Sequence, residues 1–191
     1  MARGSQALDR LCRDYPDVCT VLDIGSGAGT QAERLRQEGK KVTTISLKPP
    51  ADRIGDYLLQ EFVGPFDAIW ASHVLEHQPN PNMFLCKCFD DLRDDGVLAI
   101  TVPPLKHEIV GGHLTLWNAG LLLYNLIIAG FDCSEARVSG EYDYDISVIV
   151  RKKAADLPEL TFDSGDVKRL SRFFPFEAKD GFHGQIAPIN W

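Results

Sequence analysis

Apolar positions along the chain follow two rhythms. Short runs rich in β-branched and other apolar residues, Cys19–Ile24, Lys41–Leu47, Phe66–Ala71 and Gly96–Val102, read as strands. Between them the apolar spacing changes to a helical period. Ala28, Ala32 and Leu35 mark a helix stopped by Gly39, and Asn80-Pro81 opens another whose inner face is Leu85, Cys88, Phe89 and Leu92. Thr115–Ala129 is mostly apolar and closes at Gly130, as a helix with little exposed surface should. Phe131–Val138 and Asp145–Arg151 read as two more strands, and the Ser139–Tyr144 link is too short for a helical crossover, so they should run antiparallel. Strand–helix alternation closed by a hairpin predicts an α/β fold: a mostly parallel sheet with an antiparallel last strand and helices on both faces.

The pattern weakens after position 153. Residues 154–191 carry Phe162, Phe173, Phe174, Phe176, Phe182 and Trp191 among prolines and glycines. So many aromatics predict an extension packed on the domain formed by 1–153, not a free tail.

With 191 residues there is room for one ordinary domain and not two. Lys and Arg total 20 against 27 Asp and Glu, a net charge of −7, which argues against a nucleic-acid partner because a phosphate backbone rewards clustered positive charge. The five cysteines, Cys12, Cys19, Cys86, Cys88 and Cys133, fit no disulfide framework and no zinc-ligand spacing, so free thiols in a reducing compartment are expected. No apolar run follows Arg3, as a secretory leader would require, and the stretch Leu121–Ala129 is too short to span a bilayer. A cytoplasmic chain with no membrane partner is expected; its oligomeric state is left open.

Chemistry concentrates where the first strand meets the first helix. In Val21-Leu22-Asp23-Ile24-Gly25-Ser26-Gly27-Ala28-Gly29 the glycines permit a tight turn and close ligand approach, and the helix start presents free N–H groups. The dinucleotide pattern wants a further glycine at position 30, where Thr30 stands, and the phosphate-loop pattern fails there too.

An acid followed by G-x-G-x-G resembles the first motif of the class I S-adenosylmethionine-dependent methyltransferases, with Asp23, Gly25, Gly27 and Gly29 in its positions. Phe66-Asp67-Ala68-Ile69 leading into Val74-Leu75-Glu76-His77 resembles the same family's fourth-strand segment. Leu92–Leu98 is similar to its L-x-x-G-G-x-L segment, with Asp95 replacing the first glycine; His113-Leu114, Trp117 and Ala129-Gly130-Phe131 look like late motifs of its small-molecule branch. The resemblance covers roughly 18–152 and implies a single Rossmann-like domain with a seven-stranded sheet, S-adenosylmethionine as cofactor and a small-molecule or sugar-like acceptor. It further implies that Asp23, Gly25, Ser26 and Gly27 hold the methionine part. Asp56 would then meet the adenine amino group with Tyr57 beside it, and Ala71, Ser72 and His73 would line the methionine side.

One position departs from the family. Where an acid usually grips the ribose, the end of the second strand has Ser46, followed by Leu47. A neutral hydrogen bond contributes about 0.5–1.5 kcal/mol against roughly 1.5–3 for a charged one, so cofactor affinity should fall about tenfold unless Asp52 reaches in. That departure keeps alive a non-catalytic binding module with the same fold; a nucleotide-dependent oxidoreductase is the weaker alternative.

Methyl transfer needs alignment above all, plus a base when the nucleophile is a hydroxyl. The histidines expected near the carboxyl edge are His73, His107 and His113, of which His73 and His113 are the catalytic candidates; Gly111-Gly112 would let the loop before His113 move. Glu76 and His77 should fix a helix start. The spacing of His107, Glu108 and His113 matches no metal-ligand pattern, so no metal is expected.

Overall fold

The computed structural model describes residues 3–141 and 145–191, so residues 142–144 of the expected hairpin link lie outside the described residues. The chain opens with α1 (Ser5–Asp14), then β1 (Thr20–Ile24), α2 (Thr30–Gln37), β2 (Lys41–Ser46), the two-residue β3 (Arg53–Ile54), β4 (Phe66–Ser72) and α3 (Pro81–Asp91). There follow β5 (Leu92–Val102), α4 (Ala119–Ile128), β6 (Arg137–Glu141), β7 (Asp145–Arg151) and the short α5 (Asp166–Arg169). The seven strands lie in the order β3-β2-β1-β4-β5-β7-β6. All neighbouring pairs are parallel except those of β7, which runs against both β5 and β6.

Period-two alternation assigns each strand residue to a face. Val21, Ala68, Trp70, Val97, Ala99 and Ile149 turn to a smaller core closed by Ala7, Leu8 and Leu11 of α1 and Leu35 of α2. Leu22, Ile24, Ile69, Ala71, Leu98, Ile100, Val148 and Val150 turn the other way, onto α3 and α4. Helices thus cover both faces, which is why the central strands read as continuous apolar runs.

Three local readings change. The helix α1 was not expected from the sequence; Ala7, Leu8 and Leu11 are its buried stripe. The strand expected from Phe131 begins only at Arg137, with Phe131 making one isolated bridge to Ala154. The apolar helix starts at Ala119 instead of Thr115, because the side chain of Asn118 accepts from the Leu121 N–H as its cap. Asp95, standing for the family's glycine, adopts φ 60, a left-handed conformation that Asp tolerates better than most residues.

Residues 154–191 pack back onto the larger core through Leu170, Phe173, Phe174 and Ala178. The rings of Phe174, Phe176 and Phe182 meet edge-on or tilted at 5.4–5.6 Å. Ile189 bridges Val138 on the edge strand. All five cysteines are free, and among the described residues no helix is long and apolar enough to cross a membrane.

Candidate functional site

From β1 the chain steps outward to β2 and β3, then returns to place β4 on the other side of β1. Ligands of open α/β sheets bind in the crevice that this reversal leaves at the carboxyl ends of the strands. Gly25, Gly27 and Gly29 have φ of 75, 54 and 80, so the turn after β1 needs residues that tolerate left-handed backbone. The N–H groups of Gly25 and Ser26 donate to the Ile45 carbonyl at 2.8 and 3.1 Å, fastening the loop to the end of β2.

A cavity of about 370 Å³ opens there, lined by Gly25, Ser46, Leu47, Asp56, Tyr57 and His73, and also by His77. Six of the ten sequence-derived cofactor residues therefore face one space. Two more, Asp23 near the end of β1 and Ser26 in the glycine loop, carry buried oxygens, Oδ2 and Oγ, with no hydrogen-bond partner. Burial pushes the Asp23 carboxyl up to about 7, against a weak opposing pull from Arg36. A side chain built on Gly27 would meet nothing closer than the Gly25 carbonyl at 3.9 Å, so the space above the loop is open.

Ser72 does not line this cavity; its Oγ lies against Gly4, where a Cβ would come within 2.7 Å. Ala71 is buried in the core. Asp52 accepts from the Thr44 N–H and hydroxyl, both at 2.8 Å, and lines a separate hollow with Gly29 and Arg36. It therefore does not replace the acid missing at Ser46. Asp56 caps the turn Tyr57–Leu59 by accepting from Leu58 N–H, and the Tyr57 hydroxyl donates to Asp91 at 2.8 Å. Burial, with the Asp91 charge beside it, pushes the Tyr57 phenol above its ordinary range, so it stays neutral.

A second cavity, of about 400 Å³, adjoins the carboxyl end of β5 and is lined by Pro103, Pro104, Lys106, Ile109, His113 and Arg3. His73 lines both cavities and marks where they meet. Its backbone is left-handed at φ 55; Nε2 lies 2.8 Å from Asp145 Oδ1 and Nδ1 3.3 Å from Glu76 Oε1. Burial alone would depress its pKa, but the hydrogen bond to Asp145 and the Glu76 carboxylate beside the ring outweigh it and push the imidazole up to about 9. With Nε2 held by Asp145 and the ring protonated, His73 has no lone pair for an acceptor's proton. The expectation that it acts as a base runs into that arrangement.

Glu76 and His77 sit on the short turn Leu75–His77 and do more than start a helix. Glu76 is fully buried, and its backbone carbonyl accepts from Leu114 and Thr115, drawing the loop from β5 onto the turn. His77 Nδ1 donates to the Gly112 carbonyl at 2.7 Å, and the His77 and His113 rings meet edge-on at 5.0 Å. His107 is exposed and lines neither cavity. Sequence reasoning missed Asp145, Arg3 and the burial of Glu76. Asp145 and Arg3 lie far from the motifs in the chain, and nothing around Glu76 marks it as a core residue.

A family model described as a methyltransferase domain matches residues 3–139. A ubiquinone biosynthesis O-methyltransferase from Xylella fastidiosa is 33% identical over 99 residues, 42% of this chain and 40% of the relative; the chain thus spans about two fifths of that protein's length. The fold is shared with the Burkholderia thailandensis 1,6-didemethyltoxoflavin-N1-methyltransferase, solved with 1,6-didemethyltoxoflavin and S-adenosylhomocysteine, at a TM-score of 0.66 and 20% identity, covering 78% of this chain and 77% of that one. It is also shared with an amino pentose methyltransferase from Micromonospora echinaspora, at a TM-score of 0.62 and 15% identity over 78% of this chain and 90% of that one. The glycine loop at the strand-order reversal and a domain match over most of the chain lead to one conclusion: the chain belongs to the methyltransferase-domain family.

Proposed function

We propose that the chain is a cytoplasmic, S-adenosylmethionine-dependent methyltransferase acting on a small-molecule acceptor, with residues 154–191 part of the same unit. The observation that carries this reading is the meeting of two cavities at His73, one on the glycine loop and one beyond β5. The unpartnered Asp23 Oδ2 and Ser26 Oγ fit an amino-acid ligand whose ammonium needs a buried acceptor. When bound, the cofactor supplies a methyl group on a sulfonium, an electrophile with its leaving group built in.

The chain's own task is then positioning. Asp23 and Ser26 hold the methionine end, Gly25 lets it approach the backbone, and Ser46, Leu47, Asp56 and Tyr57 hold the nucleoside. Holding acceptor and methyl in line can supply about 7–11 kcal/mol of the barrier. His73, fixed between Asp145 and Glu76, shapes the junction and keeps bulk water from it. The curated relatives carry the name O-methyltransferase, which favours a hydroxyl acceptor, and His113 on the acceptor wall stands where that hydroxyl would lie.

Isothermal titration with S-adenosylmethionine and S-adenosylhomocysteine tests the reading; absence of binding at millimolar concentration defeats it. Once an acceptor is in hand, His113→Ala should lower kcat about 10²–10⁴-fold and leave the cofactor Kd within twofold. A matching loss of cofactor affinity would instead mark His113 as structural.

A further inference from the structure

Glu76, His77 and His113 converge where the turn after β4 meets the loop after β5, and one ligand atom from each lies within 4.8 Å of the others. Glu76 and His77 are neighbours but His113 lies far along the chain, so no ligand-spacing motif joins the three. Two features suggest more than a chance cluster. First, both Glu76 carboxylate oxygens are buried without a hydrogen-bond partner, although such oxygens almost always have one. Oε1 has the His73 ring 3.3 Å away and His77 Nε2 3.7 Å away, which leaves Oε2 with no polar neighbour of this kind.

Second, the tautomer of His77 is set. A carbonyl only accepts, so the bond to Gly112 places the ring proton on Nδ1 and leaves the Nε2 lone pair turned toward the Glu76 carboxylate. Two lone pairs facing each other are relieved by a proton or by a metal ion held between them. A backbone carbonyl orienting one imidazole nitrogen while the other stays free is also the usual support for a metal-bound histidine.

We propose that Glu76, His77 Nε2 and His113 form a site for a divalent transition-metal ion such as Zn²⁺, at the edge of the acceptor cavity. Donors about 2.0–2.2 Å from such an ion stand roughly 3.4 Å apart, so the three must close by on the order of 1 Å. The Gly111-Gly112 pair preceding His113 gives the loop that freedom. Three protein ligands leave a coordination position open. His113 lines the acceptor cavity, so that position can take an acceptor hydroxyl and lower its pKa, the proton leaving to water. The site itself stands apart from the methyltransferase reading; only its use on an acceptor rests on that reading.

The test is titration of chelator-treated, full-length protein with Co²⁺, followed by the visible d–d absorption. Expected is one saturable equivalent, displaced by Zn²⁺, lost in His113→Ala and weakened at least tenfold in Glu76→Gln, with thermal melts showing both variants folded. His113 is on a partly exposed loop, so its variant remains informative even if Glu76→Gln does not fold. No absorption band, or a band that survives His113→Ala, overturns the proposal. Either result leaves cofactor titration to judge the methyltransferase reading separately.

Discussion

Asp23→Asn is expected to make the ligand-free protein more stable at pH 8 while weakening cofactor binding ten- to a hundredfold. The wild-type carboxyl is 1% exposed, and burial raises its pKa to about 7, whereas in the unfolded chain it ionises near its ordinary value of 3.8. A folded pKa above the unfolded one means that the native state holds the proton more tightly. The associated stability is complete below about pH 4 and is lost as pH rises through 7, a difference of about 4 kcal/mol. Asn cannot ionise and escapes that loss, but its buried amide still lacks partners and takes back about 1–3 kcal/mol. The net gain of about 2 kcal/mol should appear at pH 8 as a rise in Tm of roughly 5 °C. Binding should move the opposite way. If the cofactor ammonium pairs with an ionised Asp23, the wild-type Kd should fall about thirtyfold between pH 5.5 and 8.5, and the variant's should stay flat. Melting curves and titrations across that range check both halves; an unchanged or lower Tm at pH 8 with a flat wild-type Kd removes Asp23 from the role given to it.

The alternating apolar rhythm made most of the sheet legible, because in a sheet covered on both faces the buried strands are apolar throughout. The glycine loop likewise marked the crevice, since few residues other than glycine accept three left-handed positions so close together. What escaped has physical reasons. In α1 the buried stripe is Ala7, Leu8 and Leu11 on a short helix otherwise polar, too brief a pattern to stand out. The strand β3 is two residues long and is held by its register with Ile45 and Ser46, not by its own composition. Six of the expected cofactor residues share one cavity because they lie at or just beyond the ends of β1, β2, β3 and β4. Ser72 sits at the same edge but alternates away from its neighbours and faces Gly4, which a motif cannot reveal. The buried Glu76 was beyond reach for another reason: an acid in a turn is ordinarily solvated, and only the loop drawn over it by Leu114 and Thr115 shuts water out.

The glycines of the loop are not equivalent, and Gly25→Ala should show it. A Cβ on Gly25 would stand 2.4 Å from Val74 Cγ2, on backbone at φ 75. Left-handed backbone costs an ordinary residue about 1–2 kcal/mol and overpacking adds about 1–3, so a loss of about 2–5 kcal/mol is expected. The collision falls on the cofactor cavity, because Gly25 and Val74 both line it, so cofactor binding should drop more than a hundredfold. Gly29→Ala is the control: φ is 80, yet nothing lies within 4 Å of its Cβ, so only the backbone cost of about 1–2 kcal/mol applies. Adding Val74→Ala to Gly25→Ala separates the two contributions, since the shortened neighbour removes the collision and leaves the backbone strain. Urea denaturation of the two single variants, of Val74→Ala and of the double variant closes that cycle. Recovery of about 1–3 kcal/mol in the double variant assigns the excess to Val74; equal losses for Gly25→Ala and Gly29→Ala would mean that backbone freedom alone selects glycine at both positions, and that Val74 does not wall the cofactor cavity at that point.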